Sequence, residues 1–253
     1  MKKLICLFVC MFVLSSCYPI QDMSTLAAVQ GSTVQSTRVA AATKTSTKTL
    51  IPTLTKIPTP SIIAEMKDRI NGYDYPKINK RLEDFAGYEI RHLQNFEKSA
   101  NQTGYIYNYP IWELNPENFV AASHIKWSHG STSVTKSSAG CGFIFKNNGE
   151  NQIYFAVLTT DGNVRVIHLR EGYWDGIAHK KYSVPLDFPN GEADLVVIVN
   201  GDWMTIAVNG EIVINQEFDW RSTGAFGYSI LAGTNHPEGT NCEFTDTVLI
   251  IKD

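Results

Sequence analysis

The stretch Cys141 to Leu169, CGFIFKNNGENQIYFAVLTTDGNVRVIHL, constrains the chain more than any other. It holds three apolar runs, GFIFK, QIYFAVLT and NVRVIHL. The turn pairs Asn148-Gly149 and Asp161-Gly162 separate them. Asn-Gly and Asp-Gly supply the positive φ angles that two-residue hairpin turns need, so the stretch predicts a three-stranded antiparallel meander. The pattern recurs downstream. ADLVVIVN turns at Asn200-Gly201 into DWMTIAVN, which turns at Asn209-Gly210 into EIVINQEF. GAFGYSILAG and CEFTDTVLIIK close the chain. Upstream, YEIRHL, GYIYNY and ENFVAASHIKWSH read as strands, with NFEKSANQT as a polar connector; directly after the stretch, REGYWDGIAHKKYS reads as a loop or irregular hairpin rich in aromatics. About ten short strands, spaced by turn residues and without helical periodicity, predict an all-β, two-sheet antiparallel sandwich. Alternating runs such as AVNGEIVI suit sheets with one buried and one wet face.

The N-terminus carries an address. Lys2 and Lys3 precede the apolar run Leu4 to Leu14, which is too short to span a bilayer. Residues 1–16 read as a secretory signal. The ending Leu14-Ser15-Ser16-Cys17 resembles the bacterial lipobox. That resemblance implies cleavage before Cys17, lipid attachment to its thiol and export to the outer side of a bacterial cell membrane. Several acyl chains hold where a single chain binds marginally. A plain signal peptide cut nearby is the alternative. Residues 17–60, rich in Thr, Ser, Ala and Pro, cannot bury enough apolar surface to offset their ordering entropy, so they read as a disordered tether. Residues 61–84 read as a short, partly helical lead-in, and residues 85–253 as the sandwich.

The net charge of −3 understates the acidity of the globular part. Leader and tether hold Lys2, Lys3, Arg38, Lys44, Lys48 and Lys56 against Asp22. An acidic domain argues against a nucleic-acid partner, which needs a basic face.

The order of strands and turns, GCGFIFK through LVVIVNGDWMTIAVNGEIV and GAFGYSILAG to EFTDTVLI, resembles the concanavalin A-like lectin/glucanase sandwiches, in their laminin G-like and 3-keto-disaccharide-hydrolase-like branches. The resemblance covers residues 85–252 and implies a jelly-roll of two curved sheets. Its motifs are structural turns, which specify fold better than function. The paired-carboxylate strand motif of the family's glucanases is missing; Glu243-Phe-Thr-Asp246 is the nearest match. No catalytic residue is therefore assigned, and non-catalytic glycan binding leads over a glycan-acting hydrolase and over a protein-interaction or sensory domain.

Sugar binding needs aromatic platforms beside hydrogen-bonding groups. Tyr173 and Trp174 stand in a polar loop, where core packing seldom puts aromatics, and Tyr154, Arg165, Arg170 and Asn235 complete the expected set. Trp203, on a strand, is expected in the core. The six histidines are scattered without a metal-binding spacing, so no metal site is assigned. Asn235, Glu238 and Asn241 offer the oxygen ligands that calcium takes, with an ordinary polar loop as the stronger reading. Cys141 and Cys242 are the only thiols of the globular part. Export makes a disulfide the natural reading, with two buried free thiols as the rival; in the resembled fold their strands would be neighbours.

Overall fold

A computed structural model describes residues 80–85, 88–149, 152–220 and 223–252, all within the compact unit Leu54–Asp253. The leader, Cys17, the tether and residues 61–79 lie outside the described residues. Among those described, no helix is long and apolar enough to cross a membrane.

Among the described residues, thirteen strands form two antiparallel sheets packed as a sandwich. They are β1 Glu89–His92, β2 Phe96–Ala100, β3 Ile106–Ile111, β4 Asn118–His129, β5 Gly140–Asn147, β6 Gln152–Thr159, β7 Asn163–Arg170, β8 Tyr173–Lys181, β9 Gly191–Asn200, β10 Trp203–Val208, β11 Glu211–Glu217, β12 Ala225–Leu231 and β13 Thr240–Lys252. The first sheet runs β1-β13-β4-β9-β10-β11, with β2 paired to the early half of β13. The second runs β3-β12-β5-β6-β7-β8. The meander of the opening stretch is β5-β6-β7. Gly149 and Gly162 take φ of +76° and +79°, which is why glycine closes those turns. Asn209 and Gly210 both have positive φ, at 47° and 81°, as a primed hairpin turn demands.

One expectation needs correction. Phe96–Ala100, expected as a connector, is β2, an edge strand on β13. The stretch after Arg170, read as a loop or irregular hairpin, is the hairpin: β8 is the edge strand beyond β7, reached through the positive-φ pair Glu171 and Gly172, with a register shift at Val166/Ile167. In both, exposure on both faces of an edge removes the apolar alternation that marks inner strands.

The core fills the space between the sheets. Its aromatic centre is Phe143, Phe226, Tyr228 and Phe244, with Phe96 stacked on Tyr228 at 4.5 Å. Cys141 on β5 and Cys242 on β13 are joined through this core by a disulfide, with Cα atoms 5.9 Å apart. The two strands face each other from opposite sheets and are not neighbours in one sheet.

The outer face of the first sheet divides in two. Val120, Ala122, Val196, Ile198, Val248 and Ile250 form an apolar half, and Leu82 and Phe85, each 1% exposed, cap it. Residues 80–83 are helical, so the end of the expected lead-in packs onto the sandwich. Arg81 lies 5.0 Å over the Trp203 ring, which is 41% exposed; Trp203 faces outward here and not into the core as expected. The other half of this face is polar.

Candidate functional site

Register builds that polar half. On β13, Cys242 and Phe244 point inward, so Asn241, Glu243 and Thr245 point outward. Glu243 stands opposite Glu97 on β2 and opposite Lys126 on β4, and Lys126 stands opposite Glu192 on β9. One row across four strands therefore reads Glu97, Glu243, Lys126, Glu192. A second row reads Ser99, Asn241, Ser128, and a third Thr245, His124, Asp194. Directly opposed side chains lie about 5 Å apart at Cβ, and each strand step adds about 4.8 Å.

Side chains in these rows hold one another. The Asn241 amide donates to Glu97 Oε1 at 3.1 Å and to Ser99 Oγ at 3.2 Å. His124 sits between two carboxylates, with Nδ1 2.8 Å from Asp194 and Nε2 3.5 Å from Glu192. Asn209 Oδ1 accepts from the Asp194 backbone N–H at 2.8 Å, which ties the row to the β10–β11 turn. The cleft over the first row and over Asn241 and Ser128 of the second measures about 490 Å³ and extends to Asp187, Asn190 and the edge of Trp127. The Trp127 indole N–H donates to the Asp187 carbonyl at 3.2 Å. Gly191 begins β9, and a Cβ there would meet Trp127 Cζ2 at 2.4 Å. Glycine is what lets the indole close the cleft's end.

The cleft has Glu97, Asp187, Glu192 and Glu243 against Lys126. Its surplus of negative charge disfavours polyanions and suits neutral or cationic ligands. Among the described residues, no three His, Cys, Asp or Glu side chains are grouped to hold a metal ion.

The residues expected to bind ligand do not converge. Tyr154 requires correction: it is 1% exposed, stacked on His168 at 4.2 Å in the core, because its strand parity points it between the sheets. Tyr173 and Trp174 are exposed, at 75% and 46%, on the edge strand β8. Arg170, beside them, approaches Asp175 at 3.9 Å. Arg165 stands on the outer face of the second sheet, opposite Val157. Asn235 accepts from the Thr103 backbone N–H at 2.8 Å. It lies beyond the Leu231 end of the sheet, where Leu231 pairs Gly140 and Gly140 pairs Thr159. Arg170 and Tyr173 stand at the opposite end, paired to each other. The calcium trio diverges too: Asn241 turns its amide to Glu97, and Glu238 packs over Gly130.

Sequence reasoning missed Glu97, Lys126 and Glu192, and named Asn241 only as a possible calcium ligand. Glu243 was noticed only as a poor match to a motif. The usable signal was the polar half of alternation in CEFT and SHIKWSH, which marks an outward face but not its neighbours.

No protein-family model and no curated protein matches the chain. Among solved structures, it is similar to the carbohydrate-binding module CBM66 from Bacillus subtilis. The TM-score is 0.44 at 15% identity, over 64% of this chain and 94% of that one. A functionally unknown protein from Saccharomyces cerevisiae gives 0.43 at 13%, over 64% and 92%. The GH43 protein BlXynB from Bacillus licheniformis gives 0.38 at 14%, over 53% of this chain and 28% of that one. These likenesses give no residue of this chain a role.

Proposed function

We propose that this chain is an exported, lipid-anchored lipoprotein whose jelly-roll sandwich, of the concanavalin A-like kind, binds glycan without cleaving it at the polar half of the first sheet. The observation that carries the reading is the row Glu97, Glu243, Lys126, Glu192. Like charges directly opposed on a sheet are destabilising, so Glu97 beside Glu243 opposes stability and favours a role in binding. Carboxylates and amides in a fixed row pair with vicinal hydroxyls, and the Trp127 edge is the aromatic surface that the cleft sets beside them. Negative surplus selects neutral or amino-sugar glycans over sulfated ones.

Binding leads over hydrolysis because the paired-carboxylate strand motif of the resembled glucanases is missing, with Glu243-Phe-Thr-Asp246 only its nearest match. A glycan-acting hydrolase is the second reading, since Glu97 and Glu243 stand directly opposite each other.

The reading is tested by probing a glycan array with the purified full chain. Neutral or amino-sugar glycans are expected to bind and sulfated glycans to be ignored. Glu243→Ala is expected to raise Kd by about tenfold or more, since a charged hydrogen bond contributes roughly 1.5–3 kcal/mol. Trp174→Ala should leave Kd unchanged. The reverse pattern would move the site to β8, and an empty array would sink glycan binding. The anchor has its own check. A clickable fatty acid fed to expressing bacteria should label the chain, and Cys17→Ala should abolish the label and release the protein from membranes.

A further inference from the structure

The core is left open along one side of the sandwich. β2 and β3 are edge strands of opposite sheets, β2 paired to β13 and β3 to β12. Where they come together lies a groove of about 470 Å³, a size that suits a small ligand. Its floor is aromatic. The Phe96 ring stacks on Tyr228 at 4.5 Å and lies 5.0 Å from the Tyr109 ring. Phe96 and Tyr109 are only partly buried, so aromatic surface continuous with the core faces the groove. Rings that already pack on one another hold their place before a ligand arrives, which lowers the ordering cost of binding.

The rim is polar and nearly free of charge. Gln94 and Asn95 stand exposed on the loop between β1 and β2. Leu93 pins that loop, since its N–H donates to the Thr247 carbonyl at 2.9 Å and its side chain packs on the core. Among the described residues, neither amide side chain nor the Tyr109 hydroxyl makes a hydrogen bond within the protein. Burial, with Tyr107 beside it, pushes the Tyr109 pKa up, so its hydroxyl stays a donor. Apart from His92, the lining holds no group that is charged near neutral pH. A purely apolar guest would desolvate the amides without pairing them. A neutral sugar ring has an apolar C–H face for the aromatic floor and hydroxyls for the rim.

The position of the groove agrees with that occupant. Phe96 and Glu97 are consecutive on β2, so Phe96 faces the core and Glu97 the outer face, where it ends the row Glu192, Lys126, Glu243, Glu97. In its sheet β2 has no strand beyond it. Sheets pack about 10 Å apart, so the groove opens on the order of 10 Å from the end of that row. A glycan that leaves the row at Glu97 meets the groove next.

We infer that the groove between β2 and β3 is a second carbohydrate subsite, in which a neutral sugar ring stacks on Tyr109 and Phe96 and pairs its hydroxyls with Gln94 and Asn95. The class of ligand rests on the glycan reading of the cleft, and the place rests on the groove's own residues. One glycan chain then wraps the β2 edge, held by carboxylates on the outer face and by aromatic rings at the side.

Fluorine NMR of the full chain carrying meta-fluorotyrosine tests this. The Tyr109 resonance is assigned by its loss in Tyr109→Phe. The probes are the methyl glycosides of glucose, galactose, mannose and N-acetylglucosamine. At least one probe is expected to shift the Tyr109 resonance saturably. Gln94→Ala/Asn95→Ala, which changes only exposed side chains, should weaken that binding about fivefold or more. Glu243→Ala should leave the shift in place, so the groove is read separately from the cleft. If Glu243→Ala also left array binding intact, the cleft reading would fail and the groove would stand. A Tyr109 resonance that no probe moves would overturn the inference, whatever the array shows for the cleft. So would a shift indifferent to the two amides, or one that disappears in Glu243→Ala.

Discussion

Replacing both bridging cysteines, Cys141→Ala/Cys242→Ala, is expected to lower stability by about 4 kcal/mol. The bridge closes a loop across a sequence separation of 101 residues. Loop-closure entropy for such a length is about 4.7 kcal/mol at most, and native disulfides typically contribute about 2–5 kcal/mol. Both cysteines are 0% exposed, so the alanines also leave a small void between the sheets. For a domain of this size the loss corresponds to a fall in Tm of about 8–16 °C. Urea unfolding of the two chains side by side measures it. A difference below about 1 kcal/mol would mean that the unfolded chain is already compact around this pair. The bridge also matters for the cleft. Cys242 lies between Asn241 and Glu243, so the same strand that is stapled inward presents the binding row outward. Fixing β13 to the opposite sheet holds that row rigid and lowers the ordering cost of binding.

Acid is expected to weaken the fold through His129. The ring is 8% exposed, its Nδ1 lies 3.0 Å from Thr240 Oγ1, and Phe188 packs against it at 5.3 Å. Its Nε2 is buried without a partner. Burial lowers its pKa from 6.5 to about 4, because charging the ring would strand an imidazolium between the sheets. The unfolded chain takes up a proton near pH 6.5 and the folded chain only near pH 4. Stability is therefore full above pH 6.5 and falls as pH drops toward 4. Between pH 7 and pH 4.5 the expected loss is about 2 kcal/mol, from about 1.4 kcal/mol per unit of pKa difference. His129→Gln should flatten this decline whatever it does to stability at pH 7, so the slope and not the level is the readout. Asp161 acts lower on the pH scale. Burial raises its pKa, but hydrogen bonds from Thr159 and Asn163 and the charge of Lys181 outweigh it and hold it below the ordinary carboxylate value. Its contribution is lost as pH falls further, which is why the comparison stops at pH 4.5. Parallel slopes for the two chains would exclude His129 as the cause.

The meander, the Asn209-Gly210 turn and the inward or outward parity of CEFT were legible in advance, because turn chemistry and period-two alternation act between near neighbours. Phe96–Ala100 was not. Only Phe96 and Ala100 at its ends carry apolar side chains, and it owes its strand geometry to pairing with β13. The aromatic run at β8 left loop and hairpin both open for a related reason. An edge strand exposed on both sides carries no alternation to read. Tyr154 was expected at a ligand and lies in the core, since composition names a residue's capacity and parity decides its side.

By itself, then, the sequence determined the strands that have strong turns between them, the sandwich class they imply and the polar or apolar character of each strand face. Only the tertiary structure decided that Glu97, Lys126, Glu192 and Glu243 share one row, and that Cys141 and Cys242 face each other across the core. The reason is physical. Backbone φ and side-chain alternation depend on residues a few positions apart, and a sequence displays them directly. Cross-strand register depends on which of many pairings buries the most surface with every backbone group satisfied, a property of the whole chain.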